Sequence, residues 1–138
     1  MSTKKKRYDL RRPCIPPLLL IRISIAAVWL YEGVWCKLLG RLPSQAEVVA
    51  AVPRLGPRFG KAFLKLLGIV EAGLALWVLS GVAPSMCAIA QVILLFSLNL
   101  NGLIWARRRI HDPGGMVVKN AAFLVLVWIA GAFPQSKP

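Results

Sequence analysis

Glu71 stands in the middle of an apolar run, KAFLKLLGIVEAGLALWVLSGVAP, which extends from Lys61 to Pro84. The run is long enough to cross a bilayer as one helix, which would place the carboxylate about 15 Å from the Lys61 end. At that depth a carboxylate is costly unless it is neutral, paired or facing a wet cavity. Two interpretations remain open: a functional site, or an interhelical hydrogen bond that only holds the helices together.

The chain contains four apolar runs long enough to span a membrane, and one of them carries Glu71. They cover residues 16–36, 62–82, 85–106 and 116–133. Because short links after the second and third runs force antiparallel neighbours, the sequence predicts an all-α fold, an integral membrane four-helix up-down bundle. The domains expected are a basic solvated tail at 1–13, a single four-span transmembrane domain at 14–134 and a short C-terminal tail at 135–138.

Composition agrees with a lipid-exposed bundle. Of the 138 residues, 57% are apolar, which is more than a soluble domain of this size could cover with polar surface. The net charge of +13 sits at the ends of the apolar runs, as membrane topology requires. No aromatic interleaving or base-reading motif accompanies it, so we expect contact with the lipid bilayer and no nucleic-acid partner. One His and three Cys without a CxxC pair argue against a metal site.

The segment between the first two runs contains SQAEVVAAV at residues 44–52, which predicts one short helix. Ser44 can cap it, and Glu47 falls at the capping-box position. Its few apolar residues favour an interfacial helix on the membrane surface or over the mouth of the bundle. A plain connecting loop is the alternative.

The polar residues of the spans gather toward one end of the bundle. If the N-terminal end is side A and the first-loop end is side B, every ionisable residue within the spans except Arg22 falls in the B half. Arg22 lies near side A and can snorkel outward. The gathering predicts a polar pocket that opens toward side B and is walled by apolar side chains. The residues expected to bind a ligand there are Trp29, Glu32, Trp35, Lys37, Gly68, Glu71, Asn99, Asn101, Asp112, Lys119 and Asn120.

Helical spacing supports the pocket. On the first span, Trp29, Glu32, Trp35 and Cys36 share one helix face. On the second, the small residue Gly68 shares a face with Glu71, which would let a helix or ligand approach. Aromatic walls beside carboxylates can hold a flat ring such as a quinone. They can equally be lipid-facing belts.

Specific partners of Glu71 can be predicted from the same arrangement. We expect Glu71 to face the bundle interior with Asn99 or Asn101 as a neighbour. We expect Lys119 or Lys65 to pair with Glu71 or with Glu32, since a nearby cation holds a carboxylate ionised.

The string HDPGGMVVKNAAF at 111–123 predicts a tight turn at the membrane surface, in which Asp112 accepts backbone N–H groups. Together with WLYEGVWCKLLG at 29–40 and LLGIVEAGLAL at 66–76, it resembles the DoxX-like family of small four-span membrane proteins. The resemblance covers about residues 21–129, and many relatives carry a His at the position of Glu32. Related proteins are associated with membrane-linked oxidoreductases, including subunits of a thiosulfate:quinone oxidoreductase.

The resemblance implies a non-catalytic subunit that binds a quinone or lipid and supports a membrane-associated oxidoreductase. We expect no catalytic residue, no metal ligand and no intrinsic cofactor other than a bound quinone. A freestanding small membrane enzyme or lipid-handling protein that uses Glu71, and a ligand-free scaffold, are the alternatives. The expected partners are an oxidoreductase subunit and further copies of the chain, and the expected location is a bacterial inner or plasma membrane with cytoplasmic termini.

Overall fold

The structure is a computed structural model that describes residues 18–133, without the side chain of Pro57. Most of these residues are helical, and none of them lies in a β-strand. Four helices are long and apolar enough to cross a membrane, so the predicted all-α fold with four spans is confirmed. In chain order the elements are α1 (Leu18–Leu30), a π-helical segment (Tyr31–Leu38), α2 (Pro43–Ala50), α3 (Gly56–Ser80), α4 (Pro84–Trp105), a 3₁₀ turn (Arg107–Arg109) and α5 (Pro113–Ala132).

Prolines and a glycine set the ends of the spans. α3 ends where Gly81 takes the left-handed conformation, with φ of 68°, and α4 begins three residues later at Pro84. Pro113 likewise opens α5, while Asp112 caps it by accepting a hydrogen bond from the backbone N–H of Gly115 at 2.9 Å. Asp112 accepts a backbone N–H as predicted, but the predicted tight turn is wrong, because Pro113, Gly114 and Gly115 form the first turn of α5. The helix α5 therefore begins before the apolar run does.

The core lies between the four spans. α1 packs most extensively against α3, α4 packs against α5, and α1 also contacts α5. Ile25, Ala75 and Val127 are almost completely buried where these helices meet, whereas large apolar side chains such as Leu66 and Phe96 are more than half exposed. Exposed apolar surface of this extent suits contact with lipid tails.

The short helix α2 covers side B of the bundle. It packs against α3, α4 and the 3₁₀ turn at Arg107–Arg109, so the predicted helix in the first loop is confirmed. The predicted cap at Ser44 is wrong. Leu42 is the N-cap residue, and its side chain makes no capping bond, because Pro43 opens the helix one residue earlier with its fixed backbone angle.

Parts of the predicted organisation lie outside the described residues. These are the basic tail at 1–13, the start of the first span at 16–17, Cys14, and the C-terminal tail at 135–138. The division into domains and the cytoplasmic termini therefore stay predictions.

Candidate functional site

Lys37 is the centre of a charged cluster in the B half of the bundle. Its Nζ lies 2.8 Å from Oε2 of Glu71 and 3.4 Å from Oε2 of Glu32. Glu71 is 1% exposed, whereas the side chain of Glu32 is 39% exposed. One ammonium group is thus shared between a carboxylate inside the bundle and a carboxylate at its surface.

Two glycines allow the chain segments that carry these charges to approach each other. A Cβ atom added to Gly33 would lie 2.7 Å from the carbonyl oxygen of Gly68, and one added to Gly68 would lie 2.7 Å from that of Gly33. A side-chain carbon cannot lie this close to a carbonyl oxygen unless the backbone shifts. The contact of backbone against backbone holds the π-helical segment on α3, which brings Lys37 to Glu71. The predicted role of Gly68 in close approach fits this contact.

The π-helical segment also changes which side chains turn inward. Its hydrogen bonds join residues five apart, such as the N–H of Leu39 to the carbonyl oxygen of Val34 at 2.9 Å. Trp35 is 48% exposed while its neighbour Cys36 is 2% exposed. Of the predicted face shared by Trp29, Glu32, Trp35 and Cys36, Trp29 and Cys36 are both buried, but the placement of Trp35 is wrong. The wider turn interrupts α-helical spacing after Leu30 and turns Trp35 outward.

α2 contributes a neutral side chain to the cluster. Nε2 of Gln45 donates a hydrogen bond to Oε2 of Glu32 at 2.7 Å. Gln45 is not among the residues expected at the site from the sequence, because its short helix lies between the first two spans and has no fixed register relative to them. Its proximity to Glu32 follows only from the position of α2 over side B.

The predicted inward position of Glu71 is confirmed, but the predicted partners are wrong. Among residues 18–133, the cation paired with Glu71 and Glu32 is Lys37, and both Lys65 and Lys119 are exposed. Lys65 is six residues before Glu71 on α3, so it faces away from the α1 side, where Glu71 lies.

The asparagines of α4 bind elsewhere. Oδ1 of Asn99 accepts a hydrogen bond from Nδ2 of Asn120 on α5 at 2.6 Å, which joins α4 to α5. Asn101 is exposed and donates to the backbone carbonyl of Ser97 at 2.8 Å. The structure therefore divides the polar residues of the B half into the Lys37 cluster and a separate amide pair.

Trp29 belongs to the apolar core. It is 2% exposed, its indole Nε1 donates to Oε1 of Gln91 at 2.7 Å, and its ring meets that of Phe123 edge to face at 5.7 Å. This bond joins α1 to α4 and satisfies a buried donor. As ligand-binding residues, Trp29 and the others selected from the sequence stay predictions.

A cavity lies at side A, at the opposite end from the charged cluster. Its open space is about 250 Å³ with the solvent at its mouth included, and Arg22 forms part of its wall. Arg22 is 4% exposed, and its Nη2 has no hydrogen-bond partner among the described residues. The predicted snorkelling of Arg22 is thus wrong, because the residue faces the interior of the bundle. The other lining residues are Trp77, Val78, Gly81, Val82, Pro84, Cys87, Ala88, Gln91, Val127, Ala130 and Gly131.

The charged cluster has unused hydrogen-bonding capacity. Oε2 of Glu71 lies within ion-pair distance of Lys37, yet it makes no well-aligned hydrogen bond within residues 18–133. A buried carboxylate of this kind can accept a hydrogen bond from a hydroxyl group, and the ammonium of Lys37 can donate one to a carbonyl oxygen.

Comparison with protein-family models matches residues 26–128 to the DoxX-like family. The match covers more than half of the chain, and all four spans fall at least partly within it. Neither the curated proteins nor the solved structures include a significant match.

Proposed function

The chain belongs to the DoxX-like family, and from this membership and the charged cluster we propose that it is a non-catalytic membrane subunit. It binds the polar head of a quinone or of a lipid at Lys37 and Glu71. In doing so it supports a membrane-associated oxidoreductase, as the sequence resemblance implies.

The observation that carries the proposal is the incomplete satisfaction of the buried ion pair. A buried pair kept only for stability needs additional hydrogen bonds to offset its desolvation, and apolar residues of similar volume often serve equally well. Among residues 18–133, the only polar side-chain partner of Glu71 is Lys37, and a second carboxylate competes for that cation. Such a pair is suited to exchanging one of its contacts for a ligand.

The cluster offers both kinds of group that a quinone head requires. Lys37 donates to the carbonyl oxygen of the oxidised form, and Glu71 accepts from the hydroxyl of the reduced form. The side chain of Glu32 is 39% exposed, so one edge of the cluster is open at the surface of the first span. We expect a membrane-dissolved molecule to enter there. A lipid head with hydroxyl groups presents the same donors and acceptors.

Purification in mild detergent followed by solvent extraction tests the proposal. Bound quinone and lipid are quantified per protein in the wild type, in Lys37→Met and in Glu71→Gln. We expect a near-stoichiometric molecule in the wild type and its loss from both variants, because each removes a charge from the cluster. Lys65→Met is the matched control, since Lys65 is an exposed lysine of the same bundle half, and it should retain the molecule.

Other outcomes favour the alternatives. A stoichiometric partner protein with no extracted ligand contradicts ligand binding and supports the scaffold. Retention of the ligand by Lys37→Met and Glu71→Gln, both monodisperse, contradicts binding at the cluster. Turnover of a lipid or quinone by the purified wild type, abolished in Glu71→Gln, supports the enzyme instead.

A further inference from the structure

The buried guanidinium of Arg22 is a second place where charge lies inside the bundle. It is 4% exposed and lines the side-A cavity, and its Nη2 has no hydrogen-bond partner within residues 18–133. An arginine in such a position is costly unless a group of opposite charge accompanies it. The described part of the chain does not provide one.

The distribution of acidic residues explains why. The chain has five Asp and Glu residues. Four of them, Glu32, Glu47, Glu71 and Asp112, lie in the B half of the bundle or in its loops. The fifth, Asp9, lies outside the described residues. Arg22 therefore has no carboxylate neighbour among residues 18–133, and a counter-charge must come from elsewhere.

The other polar groups of the cavity wall are already engaged. Oε1 of Gln91 accepts from Trp29, and its Nε2 donates to the backbone carbonyl of Cys87 at 3.1 Å. The indole of Trp77 donates to the carbonyl of Val82 at 2.8 Å. Arg22 alone among these side chains retains unused donors. The cavity thus contains one positive charge with a donor that is free among the described residues, while the other polar side chains of its wall are already hydrogen-bonded.

We propose that the side-A cavity binds a phosphate group, and that Arg22 holds it by charge-assisted hydrogen bonds. Guanidinium donors match phosphate oxygens in geometry and charge. The enclosed part of the cavity has room for about one water-sized group, so one phosphate oxygen enters and the remainder of the ligand stays at the mouth. A quinone ring does not fit this space.

Position favours the phosphate of an anionic phospholipid as the source. The wall includes Gly81, Val82 and Pro84 of the α3–α4 link, together with Gly131 near the end of α5. Because these residues lie at the ends of the spans, the cavity is at the level of lipid headgroups. A basic pocket between transmembrane helices at this level is the setting in which proteins bind anionic headgroups. A free phosphate ion offers the same chemistry from the aqueous side.

Native mass spectrometry of the delipidated full chain tests the proposal. Phosphatidylglycerol, phosphatidylcholine and inorganic phosphate are titrated separately. We expect one tightly bound phosphatidylglycerol in the wild type and binding at least about tenfold weaker in Arg22→Met, which is the effect of losing a hydrogen bond to a charged group. Arg22→Lys should retain part of the affinity. Arg108→Met, which removes an exposed side-B arginine, is the matched control and should bind as the wild type does.

Several outcomes overturn the proposal or its assigned source. Equal phosphatidylglycerol affinity in the wild type and Arg22→Met overturns the site. A monodisperse Asp9→Asn variant that gains affinity for phosphatidylglycerol shows that Asp9 already serves as the counter-charge, which also overturns it. If inorganic phosphate saturates the site and the two lipids bind equally, the ligand is a soluble phosphate and not a lipid headgroup. If Arg22→Met fails to fold, Arg22→Lys and the preference of the wild type for phosphatidylglycerol over phosphatidylcholine decide the question.

Discussion

Lys37 supplies the positive charge that accompanies the buried carboxylate of Glu71. Its ammonium lies 2.8 Å from Glu71 and 3.4 Å from Glu32, and Gln45 secures Glu32 from α2. The interior charge is thereby connected to the surface of side B through one shared cation. Removing only one charge of the pair costs more stability than replacing both residues by apolar ones. A single buried charge left behind has no partner to compensate it.

Removing Lys37 alone should therefore destabilise the protein strongly. We expect Lys37→Leu to lower the free energy of unfolding by about 3–5 kcal/mol, because Glu71 would remain buried without its partner. The double variant Lys37→Leu with Glu71→Leu should recover most of that loss. Thermal unfolding in detergent, followed by circular dichroism, measures both. A double variant no more stable than Lys37→Leu would show that the pair does not act as a unit.

The contact between Trp29 and Gln91 leads to a second prediction at this scale. Gln91→Leu removes the acceptor of a buried indole N–H, and should lower the free energy of unfolding by about 1–3 kcal/mol. Asn101→Ala is the control, since Asn101 is exposed and bonds only to its own helix. The same thermal measurement applies, and a loss in Asn101→Ala as large as that in Gln91→Leu would contradict the assignment.

At the scale of elements, the π-helical segment accounts for the main differences between expectation and structure. Hydrophobic runs are enough to predict four spans, and a carboxylate deep in one of them is enough to predict that Glu71 faces inward. To predict the partner of Glu71, one must know which way the side chains of residues 31–38 point. The segment is π-helical, so α-helical periodicity does not give those directions. The inward arginine of α1 was missed for a related reason, since position near a helix end does not reveal which face is buried.

The glycine contact that seats this segment can be tested directly. Gly33→Ala should push the segment away from α3, because the added carbon would lie 2.7 Å from the Gly68 carbonyl oxygen and 2.9 Å from Cβ of Glu71. We expect lower thermal stability together with loss of any ligand held by Lys37. Gly73→Ala on α3 is the control, since its added carbon meets nothing within 4 Å. It should be neutral or gain up to about 1 kcal/mol of helix propensity. Equal effects of the two changes would exclude the close contact as their cause.

At the scale of the whole molecule, the two ends of the bundle carry different chemistry. Side B holds the acidic residues of the described chain, the shared lysine and the covering helix α2, whereas side A holds the buried Arg22 beside a cavity. A quinone or lipid head at one end and a phosphate at the other would give the protein contacts with both leaflets. The physiological meaning of either site therefore depends on which end faces the cytoplasm.

Orientation can be predicted only from the distribution of basic residues. Side A carries six Lys and Arg residues before the first span, and side B carries a comparable number in its loops. Because the N-terminal tail is dense in charge and precedes the first helix to insert, we expect side A to be cytoplasmic. Four crossings also require both termini to lie on the same side, whichever side that is.

Cysteine labelling in intact cells tests separately whether side A is cytoplasmic and whether both termini lie on the same side. In a background with all three native cysteines replaced by Ala, Thr3→Cys and Ser136→Cys should both resist an impermeant maleimide, while Ser44→Cys, exposed at side B, should react. Labelling of both termini with protection of Ser44→Cys would reverse the orientation and leave the four-span bundle intact. Opposite results at Thr3→Cys and Ser136→Cys would instead contradict an even number of crossings. That outcome would mean that one of the four candidate spans does not cross the membrane, although Arg22 and Lys37 would still lie toward opposite ends of the first span.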